Sequence, residues 1–447
     1  MKKITPLITV AVIFACILYS CQKDGTLDPK YWPPKDDHGH LQQTKTFSSA
    51  VVVDWINLQL QMQKIPLPTG TAGQANDRCQ AYCGIALYES VVPGMPSYRS
   101  LVGQLTDFPE MPYPEKGRAY HWGAAANAAL ADINRKLFPS TADANKTAIN
   151  DLENKWLADF ADEAGPSTLQ RSVAFGKEVA KRVFEWAATD GSANVNPPYV
   201  PPTGDGLWVP TASTPPAGPY TFQRRDLVRG SDDGTELVPP PPFSTRVGSD
   251  FWNMVNDVYV NSKNLTNDQK ALVDYFKDVP GYAPGGTYVA LMAQILEQTN
   301  PKLDQAALTY AKVGIAQYDA TNVLFTNKYI FNLIRPVTYI QAHIDPAYVT
   351  YIPTPNHPEF PSGHSTTGGA ALGMLHLIYG EEIRFTLHTY DYLNYPTRSY
   401  TGFTQLMKDI STSRLYGGLH YQATLDKSEQ QGFKVAQNIL SRIRFSR

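Results

Sequence analysis

Three short blocks in the second half of the chain hold the residue types that oxyanion chemistry needs. Lys328 and Arg335 are seven residues apart, two helical turns, which predicts two cations on one face of a helix that Pro336 ends. Pro361-Ser362-Gly363-His364 then precedes the small, apolar run Ser365 to Leu375, a loop feeding a helix N-terminus. Free backbone N–H groups and the positive end of the helix dipole make such a terminus an anion site. The third block is Ser413-Arg414, a stretch containing Gly417 and Gly418, and then His420. Three cations, a donor loop and two histidines suit a tetrahedral oxyanion with two or three negative charges. At an effective dielectric of about 20, each cation about 4 Å away contributes on the order of 4 kcal/mol before desolvation. Taken singly, Lys328 or Arg335 is an ordinary solvated helix charge; their company makes them candidates.

No global field assists this site. Lys plus Arg number 39 against 41 for Asp plus Glu, a net charge of −2, so nucleic acid is not an expected partner. With 447 residues, 43% hydrophobic and 18% charged, the chain is neither disordered nor a polytopic membrane protein and holds a substantial core.

The elements that must position these blocks are helical. Val51, Trp55, Leu58 and Met62 recur at spacings of three and four behind Ser48 and Ser49, and similar stripes cover 81–91, 122–137 and 149–160. Val173, Gly176, Val179, Val183 and Trp186 make another, stopped at Asp190-Gly191; further helices are expected over 251–259, 268–276, 288–298 and 303–334. No alternating strand of useful length is present. Between the two helical halves, residues 197–242 hold 12 prolines in 46 residues, too many for any helix, yet with Tyr199, Trp208, Tyr220 and Phe222 among them. That composition predicts an ordered covering segment. The fold class is therefore all-α, a helical bundle of two halves, 48–196 and 251–447, with a Pro-rich irregular excursion at 197–250 between them.

The first residues read as an address. Lys2 and Lys3 precede the apolar run Ile8 to Leu18, too short for a bilayer span of about 20 residues. Leu18-Tyr19-Ser20-Cys21 resembles a bacterial lipobox, although Tyr19 is bulkier than that pattern usually carries. The expectation is a signal peptide over 1–20, lipidation of Cys21 and a flexible tether over 21–47 that also carries His38 and His40. This predicts an exported lipoprotein on the periplasmic face or cell surface of a Gram-negative-type envelope. Cys79 and Cys83, four apart on one helix face, are poorly placed for a disulfide and read as small buried thiols.

Lys328-x6-Arg335-Pro336, Pro361-Ser362-Gly363-His364 and Ser413-Arg414-x5-His420 resemble the three-part signature shared by vanadium-dependent haloperoxidases and type 2 phosphatidic acid phosphatases. The first half is similar to the extra bundle of the bacterial haloperoxidases, at Val173 to Gly191 and at Gly206-Leu207-Trp208-Val209-Pro210, so the resemblance covers roughly 48–440. It implies vanadate as cofactor, with His420 as the metal ligand and Lys328, Arg335, Ser362, Gly363 and Arg414 around the oxyanion. His364 would be the acid–base group toward hydrogen peroxide, with Lys328 polarising the peroxide, and halide oxidation would yield hypohalous acid. His357, seven before His364, lies where algal bromoperoxidases also carry a histidine; its plainer reading is a loop residue at the mouth. The alternative is an acid phosphatase inhibited by vanadate, with phosphate as a substrate group, His420 as nucleophile and His364 as proton donor to the leaving alcohol. A non-catalytic surface lipoprotein is a third class. Halide and peroxide, or a phosphate ester, are the expected partners, and homo-oligomerisation is left open. The family pattern carries an Asp four residues after the last His; here that position is Thr424, with Asp426 two further on. The expectation is that the imidazole lacks its carboxylate and that Thr424→Asp tightens vanadate binding. His121, His343, His376 and His388 match no part of the signature and read as structural.

Overall fold

The computed structural model describes residues 42–64, 76–282 and 286–447. The expected signal peptide, Cys21 and most of the tether lie outside them. Among the described residues there are thirteen α-helices. The first half contributes α1 (Ala50–Met62), α2 (Asn76–Val91), α3 (Trp122–Leu137), α4 (Asp143–Ala161) and α5 (Pro166–Ala187). The second contributes α6 (Asp250–Lys263), α7 (Asn267–Phe276), α8 (Gly286–Thr299), α9 (Leu303–Phe331), α10 (Pro336–His343), α11 (Gly363–Tyr379), α12 (Phe403–Tyr416) and α13 (Gln422–Arg442). The only paired strands described, β1 (Phe385–Leu387) and β2 (Arg398–Tyr400), form a short antiparallel hairpin. The fold is all-α, and no described helix is long and apolar enough to cross a membrane.

Helix α9 is the axis. Nearly every residue from Ala306 through Leu324 is buried, as the apolar and small residues on all its faces demand, and the helix packs on α2 from the first half and α11 from the second. Helix α11 in turn lies against α13 at very short range: a Cβ at Gly432 would stand 1.9 Å from the Thr366 carbonyl oxygen. Only a glycine lets the two backbones approach so closely, and this contact seats the α11 N-terminus. Cys79 and Cys83 are buried and form no disulfide with each other; burial pushes the Cys79 thiol up to about 12.

The Pro-rich segment contains no α-helix and is ordered by contacts with the body. Trp208 is buried, and the Asn438 amide donates to the carbonyls of Ser231 and Asp233. Arg224 pairs with Asp77 of α2 at 2.7 Å. Asp319 of α9 accepts from the backbone N–H groups of Leu227 and Val228 at 2.7 and 3.0 Å, deep in the core. Burial, and then the neighbouring Asp226, raise the Asp319 carboxyl from 3.8 to about 8. Asp319→Ala strands two buried N–H groups at about 1–3 kcal/mol each, so urea unfolding at pH 5 is expected to show a loss of roughly 2–6 kcal/mol. The folded state holds the Asp319 proton where the unfolded chain has lost it. The advantage of wild type over the variant is therefore expected to shrink as pH rises from about 4 to 8. Equal stability of the two proteins at pH 5 would refute this role for Asp319.

Candidate active site

The first block is built differently from its expected form. Helix α9 ends at Phe331, where Asn332 takes a left-handed conformation (φ 44°), and Leu333 and Ile334 run extended against the covering segment. Lys328 and Arg335 therefore do not share a helix face. Pro336 starts α10 rather than ending α9, because its missing N–H and preset φ suit a first helical position, and Arg335 is the residue just before it. The two side chains still converge, arriving from separate backbone segments.

Both are fully buried. The Lys328 ammonium donates to the carbonyls of Pro358 and Glu359 at 2.8 and 3.1 Å and to that of Pro361, three acceptors for three N–H bonds. Arg335 donates to the carbonyls of His357 and Leu419 at 2.9 and 3.0 Å. Its remaining contacts are with the rings of His357, at 3.0 Å to Nδ1, and His420, at 3.4 Å to Nε2. Arg414, 2% exposed at the end of α12, donates to the Phe276 carbonyl at 2.6 Å and to Ser413 Oγ at 3.1 Å. None of the three cations forms a salt bridge with a carboxylate among the described residues. Burial lowers the basicity of all three, and for Lys328 the charge of Arg335 lowers it further.

Ser362 caps α11, its hydroxyl accepting from the Ser365 N–H at 3.4 Å, while its own N–H donates to Ser428 Oγ at 2.8 Å. The N–H groups of Gly363 and His364 have no hydrogen-bond partner among the described residues, as expected for a first helical turn. A turn after α12, with Gly418 at φ 78°, returns the chain so that the Leu419 N–H donates to the Arg414 carbonyl and His420 faces Arg335.

The expected gap in the carboxylate shell is filled from elsewhere in the chain. His420 Nδ1 is 2.9 Å from Glu359 Oε1, and both side chains are buried. The Tyr421 N–H also donates to Oε1, and the Thr424 hydroxyl donates to Oε2 at 3.0 Å. Thr424 thus orients Glu359, which orients His420; the position is not a missing carboxylate. Burial raises the Glu359 carboxyl to about 7 against the pull of Arg335 and Lys328. Burial, and then Arg335 and Lys328, hold the imidazole well below its ordinary basicity. With Nδ1–H given to Glu359, the neutral ring presents the lone pair of Nε2, the nitrogen nearest Arg335.

His364 has its own carboxylate. Its Nε2 is 2.9 Å from Asp278 Oδ2, and the ring is 27% exposed. Asp278 holds a left-handed backbone (φ 69°), uncommon for a residue other than glycine. Neither acidic residue stood out in the sequence. Glu359 was visible as a lone carboxylate five residues before His364, but Asp278, on the loop after α7, carried no signal.

A cavity of about 1290 Å³ opens over the cluster. Gly363, His364, Arg414 and His420 line it, whereas Lys328, Arg335 and Ser362 stand behind its wall. His357 also lines it, held by Arg335, and burial with the adjacent Lys328 keeps its ring neutral. The covering segment supplies part of the wall through Thr214, Pro215 and Ala217, whose N–H donates to the Asn356 carbonyl. His121 caps α3, His376 and His388 pair with Glu381 and Asp391, and none of these, nor His343, lines the cavity.

Residues 341–446 match the family model of the VCPO second helical-bundle domain. Among solved structures, the first bacterial vanadium-dependent iodoperoxidase superposes with a TM-score of 0.78 at 24% identity, covering 90% of this chain and 97% of that one. A bacterial vanadium-dependent chloroperoxidase is similar in its holo form, with a TM-score of 0.65, 15% identity and coverage of 91% and 99%. Its apo form gives 0.63, 16%, 90% and 99%. No curated protein sequence matches the chain. The chain has the fold of the vanadium haloperoxidases over nearly its whole described length.

Proposed function

We propose that this protein is a vanadium-dependent haloperoxidase that oxidises halide with hydrogen peroxide: H2O2 + X⁻ + H⁺ → HOX + H2O. The observation that carries the reading is the convergence of three buried cations, none of them in a salt bridge among the described residues, on a neutral imidazole whose other nitrogen is tied to Glu359. That donor set fits vanadate. The positive charge demands a buried anion, the α11 N-terminus offers N–H groups, and His420 Nε2 offers one nitrogen ligand. When bound, vanadate supplies a Lewis acid that makes peroxide oxygen electrophilic toward halide. Around it, Arg414 and the N–H groups of Gly363 and His364 would bind the oxygens. Arg335 and Lys328 would compensate charge from behind. His364, aimed by Asp278, would take the proton of the incoming peroxide at its ring nitrogen and return one to the departing oxygen. The likeness in fold to an iodoperoxidase and a chloroperoxidase supports the same activity class.

The test is turnover of vanadate-loaded protein with peroxide and iodide, bromide or chloride, beside p-nitrophenyl phosphate without peroxide. Halide oxidation that depends on vanadate is expected. Phosphate-ester turnover that vanadate suppresses, with a phosphohistidine trapped at His420 and no halide oxidised, would establish the phosphatase reading instead. Export and lipidation at Cys21 rest on the sequence; palmitate labelling unchanged in Cys21→Ala would overturn the lipidation.

A further inference from the structure

The N-terminal end of α9, away from the site, lies beside a cluster of cations. The end of α13 and the residues after it hold Arg442, Arg444 and Arg447, with no acidic residue from Gln430 to Arg447. This segment runs beside the loop that follows α2: the Arg99 N–H donates to the Phe445 carbonyl at 2.8 Å, and the Arg447 N–H to the Ser97 carbonyl at 3.0 Å. Burial, and then the adjacent Arg99, lower the basicity of Arg447, the mark of like charges held close. Lys312 of α9 reaches the same place, its Nζ 5.0 Å from the centre of the Phe445 ring. Arg442 pairs with Asp233, whereas Lys45, Arg99 and Arg444 are exposed and form no salt bridge among the described residues. Glu89 and Asp304 also lie at this end, but both are buried, so neither presents an exposed carboxylate.

The first described residues are seated at the same end. The Trp122 Nε1–H donates to the Gln42 carbonyl at 2.8 Å and lies against Gly94, where an added Cβ would stand 2.2 Å from that nitrogen. Lys45 follows in a single 3-10 turn, and its neighbour Thr44 donates its hydroxyl to the Val91 carbonyl at 2.8 Å. Gly94 is five residues before Arg99, at most about 18 Å of chain. The chain from Cys21 therefore arrives at the edge of the cationic face, and its 21 residues to Gln42 span at most about 75 Å. With Cys21 in a bilayer, as the sequence leads one to expect, this face is the part of the body tied nearest the lipid. Docking is then intramolecular, so a weak attraction suffices.

We propose that this face docks on an anionic phospholipid bilayer, with Lys45, Arg99, Arg444 and Arg447 against the headgroups. Each basic side chain near an anionic surface strengthens attachment roughly fivefold, and the attraction decays over about 10 Å at about 0.1 M salt. The whole chain carries a net charge of −2, so the attraction belongs to this face and not to the molecule at large. Docking also fixes where the site stands. Gln305, near the start of α9, donates to Tyr98 Oη at 2.7 Å, next to Arg99. Lys328 lies 23 residues further along the same helix, about 35 Å at about 1.5 Å per residue. The oxyanion cluster is thus held several screening lengths from the lipid, beyond a surface potential that would repel a halide.

The test is binding of the full chain to vesicles of phosphatidylglycerol in phosphatidylcholine, beside vesicles of phosphatidylcholine alone. The combined variant Lys45→Gln, Arg99→Gln, Arg444→Gln should bind the anionic vesicles on the order of 100-fold more weakly than wild type in about 0.1 M salt. Its binding to phosphatidylcholine should be unchanged. Hydrogen exchange on wild type should show protection at 97–104 and 442–447 on the anionic vesicles but not on phosphatidylcholine, with residues 349–355 beside the cavity unaffected. Equal binding of variant and wild type to the anionic vesicles would overturn the proposal, as would protection at 349–355 in place of the cationic face. Salt-sensitive binding to heparin, with none to phosphatidylglycerol, would assign the face to a soluble polyanion and overturn the membrane. No arm uses halide or vanadate, so the result is independent of the proposed activity. Palmitate labelling reads Cys21 separately: an unlabelled chain that still shows protection of the cationic face upholds the docking and removes only the anchor.

Discussion

His364→Ala is expected to lower halide oxidation by about 10²–10⁴ while leaving vanadate affinity within a few-fold of wild type. The ring is partly exposed at the cavity and hydrogen-bonded to Asp278, whereas Arg414 and His420 line the cavity from other elements and Arg335 stands behind the wall against His420. Asp278→Ala should act through His364. It leaves the ring in place but removes the partner that selects its tautomer and its angle, so turnover falls less than in His364→Ala. Asp278→Glu is expected to restore part of the loss, which a merely structural role for the loop would not predict. Turnover is read from triiodide formation at saturating vanadate, and affinity from calorimetry. If His364→Ala kept more than a tenth of wild-type turnover, the acid–base assignment would be wrong.

The second large effect concerns Glu359 and reverses what the sequence pattern leads one to expect of Thr424. Glu359→Gln is expected to weaken vanadate binding by about 10–100-fold, because a neutral amide orients and polarises the His420 ring less than a carboxylate does. Thr424→Asp should also weaken it. The Thr424 hydroxyl is a hydrogen-bond donor to Glu359 at 3.0 Å, and an aspartate there would set two buried carboxylates against each other. The sign of the pH dependence follows from the raised Glu359 carboxyl, at about 7. As pH falls through 7 the wild-type residue takes up a proton and loses its anionic advantage. The ratio of wild-type to Glu359→Gln affinity should therefore shrink toward acid pH and be largest near pH 8. Calorimetry at pH 6 and pH 8 measures both. Tighter binding by Thr424→Asp would show that the histidine lacks a carboxylate after all.

The sequence by itself determined the kind of fold and which residue types were available for oxyanion chemistry. Spacings of three and four among apolar residues mark helices such as Ala50–Met62 and Pro166–Ala187, because a 3.6-residue period is a local property of the chain. The donor loop at Ser362-Gly363-His364 was legible for the same reason, since a cap and the first helical turn are built from neighbours. The 12 prolines of 197–242 announced a segment without helices, but not where it docks. Docking depends on Asp319, 92 residues beyond the Leu227 N–H that it holds. The regular spacing of Lys328 and Arg335 misled, because the helix ends at Asn332, between them, while tertiary packing still brings both cations together. The carboxylates were hidden for a related reason. Glu359 lies 61 residues before His420, and Asp278 lies 86 before His364, so neither pairing has a local pattern. Residue types and short-range spacing specify which groups are available. Only the closure of distant loops around α9 decides which carboxylate faces which imidazole, since such contacts are set by the packing of whole helices rather than by the residues beside them.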